Sequence, residues 1–290
     1  MQSKKFEKLI SSGRKKIKSD KFYSTLYLFI GIYYFLTSSI SLFFSRLFLK
    51  KKDYFKKDPL ITIITPTYNR AEILTERAIK SVLSQTYKNF EYLIIGDGCT
   101  DNTEKKIKLI NDPRIKFFNI KRKILYKKNI ENLWFVGPVR ALNYGLKKAE
   151  GKWIARIDDD IIWDKRHLEK SLKFCIKNNF EFVTASAVTV RFKKKKVVKY
   201  TVINEKKIGG SNTFFFISYL KFFKFNLFCW MKNKHRVNDV DLFDRLTKAG
   251  VRTGFRDETS MYNLPRPGDK TLGIDQMIID KKSYYRKYFN

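Results

Sequence analysis

The chain has 290 residues, with 61 Lys and Arg against 28 Asp and Glu, for a formal net charge of +33. That length buries one good-sized core or a core split into two lobes, and the charge attracts phosphates of any kind without choosing among nucleic acid, anionic lipid headgroups and diphosphate substrates. Cys99, Cys175 and Cys229 are odd in number, widely spaced and without a CxxC pair, which argues against a disulfide framework or a zinc knuckle and for a reducing compartment. With only His167 and His235 available, a His-rich zinc site is excluded as well.

Residues 1–57 carry 14 Lys and Arg against Glu7, Asp20 and Asp53. Within them Phe22 to Ser45 runs 24 positions without a charge, long enough for a helix to cross a hydrocarbon core of ~30 Å. Ser24, Thr25, Thr37, Ser38, Ser39 and Ser41 dilute the run, and basic clusters on both sides leave its orientation unset, so a helix lying in the interface fits as well as a span. A basic leader precedes it and no small-residue cleavage site follows, unlike a signal peptide. The expectation is attachment to the cytoplasmic face of a membrane, peripheral or anchored by residues 22–45. A helical hairpin buried on the body is the alternative.

Asp58-Pro59 punctuates the chain, and Leu60 to Thr65 (LITIIT) is a β-branched run suited to a fully buried strand. Pro66-Thr67-Tyr68-Asn69 ends it, and Ile73, Leu74, Ala78, Ile79, Val82 and Leu83 recur at helical spacing. A second strand over Phe90 to Ile95 leads to the tight turn Gly96-Asp97-Gly98, and Asp101 to Thr103 open another helix. Arg114 to Asn119 reads as a third strand, Ile120 to Trp134 as a loop without period, and Pro138 to Ala149 as a helix with Pro in its first turn. This alternation predicts an α/β fold with a largely parallel sheet.

The fourth strand lies in Lys152 to Trp163, KWIARIDDDIIW, where an apolar run stops in Asp158, Asp159 and Asp160. Open α/β sheets bind ligands at the carboxyl ends of their strands. Three adjacent acids need a cation among them, and a hard divalent metal takes oxygen ligands readily; an Asp-capped turn opening the next helix explains the same residues equally well. Beyond it, Leu168 to Ile176 predicts a helix, Phe182 to Val190 with Val197 to Ile203 a hairpin around Lys193 to Lys196, and Asp239 to Ala249 a helix. Phe214 to Trp230 is either a lipid-facing surface or core.

Several of these stretches together resemble family 2 glycosyltransferases of the GT-A fold. The first is ITIITPTYNRAEILTERAIKSVLSQTYKNFEYLIIGDGCTDNT; RALNYGLKKAEGKWIARIDDD resembles the helix and DXD strand, and NDVDLFDRLTKAG the late acidic motif and its helix. The matches keep the family's order over Leu60 to Pro267, which makes the resemblance far more specific than a lone DxD. It implies an inverting, metal-dependent transfer of sugar from a nucleotide diphosphate to an acceptor hydroxyl. The implied metal is Mn²⁺ or Mg²⁺, on Asp160 and Asp158, with Asp158 alternatively at the ribose and Asp159 a spacer. Thr67 and Tyr68 match positions lining base and ribose, Asp97 an acid that binds the base, Arg140 a contact to base or diphosphate, and Asp239, ahead of Asp241, the general base.

Departures from the family pattern are specific. Gly96-Asp97 stands where two acids are common, Cys99 where Ser is, Ile161 where a fourth acid often follows the DXD, and Asn238 where Glu usually opens the late motif. No His accompanies Tyr262 or Asn263, where some relatives supply a metal ligand. The expected organisation is a membrane-associating segment 1–57, a nucleotide-sugar half 58–164, an acceptor half 165–265 and a basic tail 266–290. The expected partners are a UDP-, GDP- or dTDP-linked sugar, a glycan or lipid-linked acceptor in surface polysaccharide, lipopolysaccharide or glycolipid assembly, and a membrane surface, with no specific nucleic acid. A nucleotidyltransferase would need a Gly-rich basic phosphate loop after the first strand, for which PTYN is a poor substitute. A non-catalytic basic membrane- or nucleic-acid-binding protein retaining the fold is the alternative from another class.

Overall fold

The computed structural model describes residues 21–48, 54, 57–191, 194–198, 201–202, 206–207, 209–232 and 236–289. The basic leader 1–20, Lys193 at the hairpin turn, Ile203 and His235 lie outside the described residues. The apolar N-terminal run forms one helix, α1 (Lys21–Leu47). The body is built on β1 (Ile61–Thr67), β2 (Phe90–Asp97), β3 (Ile115–Ile120) and β4 (Trp153–Arg156), all mutually parallel in the order β3-β2-β1-β4. Every residue of β1, β2 and β4 is buried, as expected for strands covered on both faces and written as continuous apolar runs.

The sheet continues through β10 (Phe215–Ile217), β6 (Phe182–Arg191), β11 (Thr253–Asn263) and β5 (Ile161–Trp163). β10 runs antiparallel to β4 and β6, β11 lies parallel to β6, and β5 is an antiparallel edge. β7 (Lys194–Val198) returns antiparallel along β6, a hairpin as expected, but Lys194 to Lys196 belong to the returning strand instead of the turn, since Lys194 already pairs with Arg191. A separate two-stranded ribbon joins β8 (Thr201–Val202) and β9 (Lys206–Lys207). The result is a curled, mostly parallel mixed sheet with helices packed on it. Its core is continuous from Ile61 through Trp153, Phe182 and Phe243.

Pro66 does not end β1, which runs on to Thr67. Pairing with β4 stops at Ile64↔Arg156, so the missing Pro N–H leaves no partner in β4 unanswered. The following helix, α2, is α-helical over Ala71–Ile73 and Lys80–Leu83 but π-helical over Leu74–Ile79. Such widened turns are rare and cluster at functional sites. The remaining helices are α3 (Thr103–Lys108), α4 (Ile130–Val136), α5 (Val139–Lys148), α6 (His167–Asn178), α7 (Asn238–Lys248), α8 (Gly273–Ile279) and α9 (Lys281–Phe289). Gly145 lets α5 sit directly on β1, since a Cβ there would stand 2.5 Å from Ile64 Cγ2.

One expectation changes and one open reading narrows. Part of the stretch read as loop, Ile120 to Trp134, is the start of α4, capped by Asn129, whose Oδ1 accepts the Asn132 N–H at 2.7 Å. Its period is hard to read because the helix is short and buried on more than one side, Val136 in the main core and Ile130 and Leu133 in a second cluster with Met277, Tyr284 and Tyr288. Of the two readings left open for Phe214 to Trp230, core holds for Phe214, Phe215, Phe216, Phe223 and Phe225, which are all buried, while Phe228 stays exposed.

Candidate functional site

The three acids emerge where β4 leaves the sheet. The Asp158 N–H donates to Asn212 Oδ1 at 2.6 Å, and the Ile161 N–H to Asp158 O at 3.3 Å closes the turn into β5. Each carboxylate then meets its own guanidinium. Arg156 Nη2 donates to Asp158 Oδ1 at 2.8 Å, Arg70 Nη1 to Asp159 Oδ1 at 2.9 Å, and Arg266 Nε to Asp160 Oδ2 at 2.8 Å. This arrangement offsets the repulsion among adjacent acids in a low-dielectric setting. Asp159, expected as a spacer, is the most buried of the three and shapes the turn by also accepting Thr67 Oγ1 at 2.8 Å.

The neighbouring carboxyls titrate in opposite directions. Burial pushes Asp158 up, against the pull of Arg156, and Asp159 and Asp160 push the same way. Burial also acts upward on Asp160, but Arg266 and Arg70 outweigh it and hold that carboxyl below its usual range. Arg156 itself is 4% exposed, and among the described residues its Nε and Nη1 have no hydrogen-bond partner.

Thr67, Tyr68, Asp97 and Arg140 gather at the ends of the adjacent strands. Thr67 pairs with Gly96 across β1 and β2, so Asp97 stands one residue beyond it on the same edge. Gly98 turns the chain away at φ +78, a conformation that favours glycine. Asp97 receives Arg122 Nη1 at 2.9 Å and Arg140 Nη1 at 3.3 Å. Burial raises its pKa while the two arginines draw it back. The Arg122 guanidinium also lies 3.9 Å above the Tyr68 ring, joining Tyr68, Asp97 and Arg140 in one cluster.

The C-terminal helices cover this edge. Tyr288 of α9 sits with its ring 5.4 Å from that of Tyr68, and its hydroxyl accepts Arg70 Nη2 at 3.0 Å. Arg122 Nη2 reaches Tyr288 O at 3.3 Å, Tyr68 OH donates to Lys287 O at 3.3 Å, and Arg266 Nη1 donates to Tyr284 OH at 3.0 Å. Arg77, within the π-helical turn of α2, donates to Leu264 O at 2.8 Å and Pro265 O at 2.6 Å as well as to Asp160 O at 3.2 Å. The widened turn thus ties the acids to the segment that delivers Arg266.

Asp239 opens α7 and stands apart from the acid cluster. Its Oδ1 accepts the Val240 N–H at 2.8 Å, and none of its hydrogen bonds among the described residues reaches the strand-end residues. Two positions on, Asp241 is fully buried and receives Lys232 Nζ and Arg245 Nε, each at 2.9 Å, and Tyr27 OH at 2.6 Å. The structure therefore brings Thr67, Tyr68, Asp97, Arg140, Asp158 and Asp160 to one sheet edge and places Asp239 in the first turn of α7, outside their hydrogen bonds. Arg70, Arg122, Asn212 and Arg266 were missed in the sequence. Arg70 directly follows PTYN, whereas Arg266 lies in a tail without periodic signal.

Asp158 and Asp160 carry the hard oxygen chemistry that a divalent ion takes, but among the described residues no group of three or more His, Cys, Asp or Glu side chains could hold a metal alone, and both carboxylates are engaged by arginines. Magnesium-like sites commonly use one or two carboxylates and complete their shell with substrate phosphate and water.

The profile of Glycosyl transferase family 2 matches residues 62–237, more than half of the chain. The chain belongs to that family. Among curated relatives, the UDP-Glc:alpha-D-GlcNAc-diphosphoundecaprenol beta-1,3-glucosyltransferase WfgD of Escherichia coli is 35% identical over 153 residues, 53% of this chain and 50% of that protein. An uncharacterized glycosyltransferase of Rickettsia conorii is 45% identical over 126 residues, 43% of this chain but 18% of that protein. The chain thus spans half or less of these relatives. Of solved structures, TarS 1-349 of S. aureus in complex with UDP-GlcNAc superposes with TM-score 0.56 at 18% identity, covering 78% of this chain and 63% of that one. The mannosyltransferase PcManGT of Pyrobaculum calidifontis, in complex with GDP-Man and Mn²⁺, gives TM-score 0.51 at 15% identity over 85% and 70%. At those identities the likeness is one of fold, the GT-A fold.

Proposed function

We propose that this protein transfers a sugar, with inversion, from a nucleotide diphosphate sugar to an acceptor hydroxyl in the assembly of a surface polysaccharide or lipid-linked glycan at the cytoplasmic face of a membrane. The observation that carries this reading is the convergence of Thr67, Asp97 and Asp158 to Asp160 at the carboxyl edge of β1, β2 and β4 in a family 2 chain. Residues 58–164 form the donor half, 165–265 the acceptor half, and 266–290 a basic tail over the donor edge. WfgD, named for a diphosphoundecaprenol-linked acceptor, supports the lipid-linked class.

Asp97 binds the base, with Arg122 and Arg140 fixing its carboxylate, while Thr67 and Tyr68 line base and ribose. Asp158 and Asp160 would hold a divalent ion, Mn²⁺ or Mg²⁺, which would supply neutralisation of charge on the departing diphosphate. Asp239 accepts the proton of the acceptor hydroxyl as that oxygen bonds to the anomeric carbon and the bond to the diphosphate oxygen breaks. A carboxylate within hydrogen-bond reach does this despite a low intrinsic pKa.

A transfer assay over UDP-, GDP- and dTDP-sugars with Mn²⁺, Mg²⁺ or chelator tests the reading. Release of nucleoside diphosphate that depends on acceptor and metal is expected with one donor. Wild-type turnover in both Asp160→Ala and Asp239→Ala would overturn the site assignment. Salt-sensitive binding to generic polyanions with no response to any nucleotide sugar would favour the non-catalytic alternative.

A further inference from the structure

We infer that α1 is an in-plane membrane helix. It lies along the headgroup boundary of an anionic bilayer with its outer face among the acyl chains, stays clasped to the catalytic body along its length, and does not cross. This rests on the membrane-face part of the function proposed above and goes beyond it by setting the orientation of the helix.

The inner face is a single stripe. Tyr27, Tyr34, Ser38, Leu42 and Arg46 recur at spacings of seven and then four, which places them on one side of a helix. Tyr27 OH donates to buried Asp241 at 2.6 Å and accepts Asn226 Nδ2 at 3.0 Å. The Arg245 guanidinium lies 5.3 Å over the Tyr34 ring, and Ser38 and Leu42 are buried. At the far end Arg46 grips Glu181 through Nε at 2.9 Å and Nη2 at 2.6 Å, and donates to Gly250 O at 2.9 Å.

These clasps decide between spanning and lying flat. From Tyr27 to Arg46 the helix rises roughly 28 Å at 1.5 Å per residue, about the thickness of the hydrocarbon core. A helix crossing that core while clasped at both ends would drag Asp241, Glu181 and the body into hydrocarbon, where charged groups are strongly disfavoured. Undocking would leave Asp241 and Glu181 without their α1 partners.

The outer face is apolar and open: Phe29, Tyr33, Leu36, Ile40, Phe43 and Leu47 are each at least half exposed. An 18-residue window within Thr25–Leu47 has a mean hydropathy of 1.6, and 11% of its residues are buried. So large a continuous apolar face is far beyond the scattered exposure normal on a soluble surface. The net charge of +33, with 14 Lys and Arg in residues 1–57, matches anionic headgroups flanking that face. A shallow apolar cleft lined by Phe29, Ile30, Tyr33, Tyr34 and Phe228 sits where α1 meets the acceptor half. Since Asp241 ties α1 to the helix that carries Asp239, the acceptor side is held at the bilayer surface.

The test uses the full chain tagged at both ends and bound to phosphatidylglycerol–phosphatidylcholine vesicles. We expect it to float with the vesicles, with both tags removed by external protease, and nitroxides at positions 29, 36 and 43 to report one shallow depth. The double variant Leu36→Glu/Phe43→Glu, at exposed positions, should keep its circular dichroism and melting profile while losing vesicle binding at least tenfold. An N-terminal tag protected in the vesicle lumen, or nitroxide depths that pass through the bilayer centre, would overturn the in-plane placement. So would failure to float, whether the chain sediments as a monomer or as a dimer that covers the face. None of these readouts measures sugar transfer, so loss of the catalytic reading and loss of this one are separable.

Discussion

At the scale of single residues, the three acids of the turn differ by their partners. Asp159 is buried and shared between Arg70 and Thr67, so Asp159→Asn should destabilise the fold by about 3–5 kcal/mol, the cost of leaving a buried charge unmatched, read by urea denaturation. Asp160 and Asp239 should separate by kinetic signature. Asp160→Asn is expected to weaken metal-supported donor binding, with transfer falling on the order of 10²–10³-fold, read by calorimetry with and without Mn²⁺. Asp239→Asn should leave donor affinity intact and lower kcat by about 10²–10⁴-fold. The acids themselves were legible because three carboxylates interrupt an apolar run. Two of their neutralising arginines were not, because Arg70 and Arg266 come from stretches far from the acids and meet them only in space, whereas Arg156 stands two residues before Asp158.

At the scale of elements, α9 and α1 each hold a place that their sequences only hinted at. α9 lays Tyr288 against Tyr68 and draws on Arg70 and Arg122, the side chains around the proposed nucleotide position. A chain ending at Asp280 is therefore expected to bind nucleoside diphosphate more tightly than the full chain, measured by titration calorimetry; equal affinity would show that α9 does not compete. The α1 clasp carries a pH dependence. Burial pushes Glu181 upward, but its bonds to Arg46, Tyr219 and the Arg252 backbone prevail and hold its pKa below the ordinary value. A carboxylate depressed in the folded state contributes stability above its unfolded pKa of about 4.3. That contribution fades as pH falls through the folded value. Amide-exchange protection of residues 25–47 should drop below about pH 4, and Glu181→Gln should lower it at neutral pH and flatten the acid dependence. Strands such as β1 and β2 are plain in the sequence because burial on both faces demands unbroken apolar runs. Helix α4 is not, because a short helix packed on several sides loses its single apolar stripe.

At the scale of the whole molecule, charge and architecture act together. A net charge of +33 makes attachment to anionic vesicles sensitive to ionic strength, so the bound fraction should fall between low and high salt, as a sedimentation series can follow. Donor and metal binding should raise the melting temperature together. A nucleotide sugar at ~100 times its dissociation constant adds about 2.7 kcal/mol, and chelator should remove most of that shift if Asp158 and Asp160 hold the ion.

By itself the sequence determined the family, the buried strands of a largely parallel sheet and the acids at the end of the fourth strand, because buried parallel strands, turns and a carboxylate run are local patterns that one stretch of chain can carry. Only the tertiary structure decided that Arg266 answers Asp160, that the phenylalanines from Phe214 to Phe225 are largely core, that the basic tail folds into α8 and α9 over Tyr68 and Arg70, and that α1 lies clasped along the body. The clasp, the tail and the Arg266 pair depend on contacts between residues about 100 to 220 positions apart, and spacing along the chain contains no record of which distant side chains will meet.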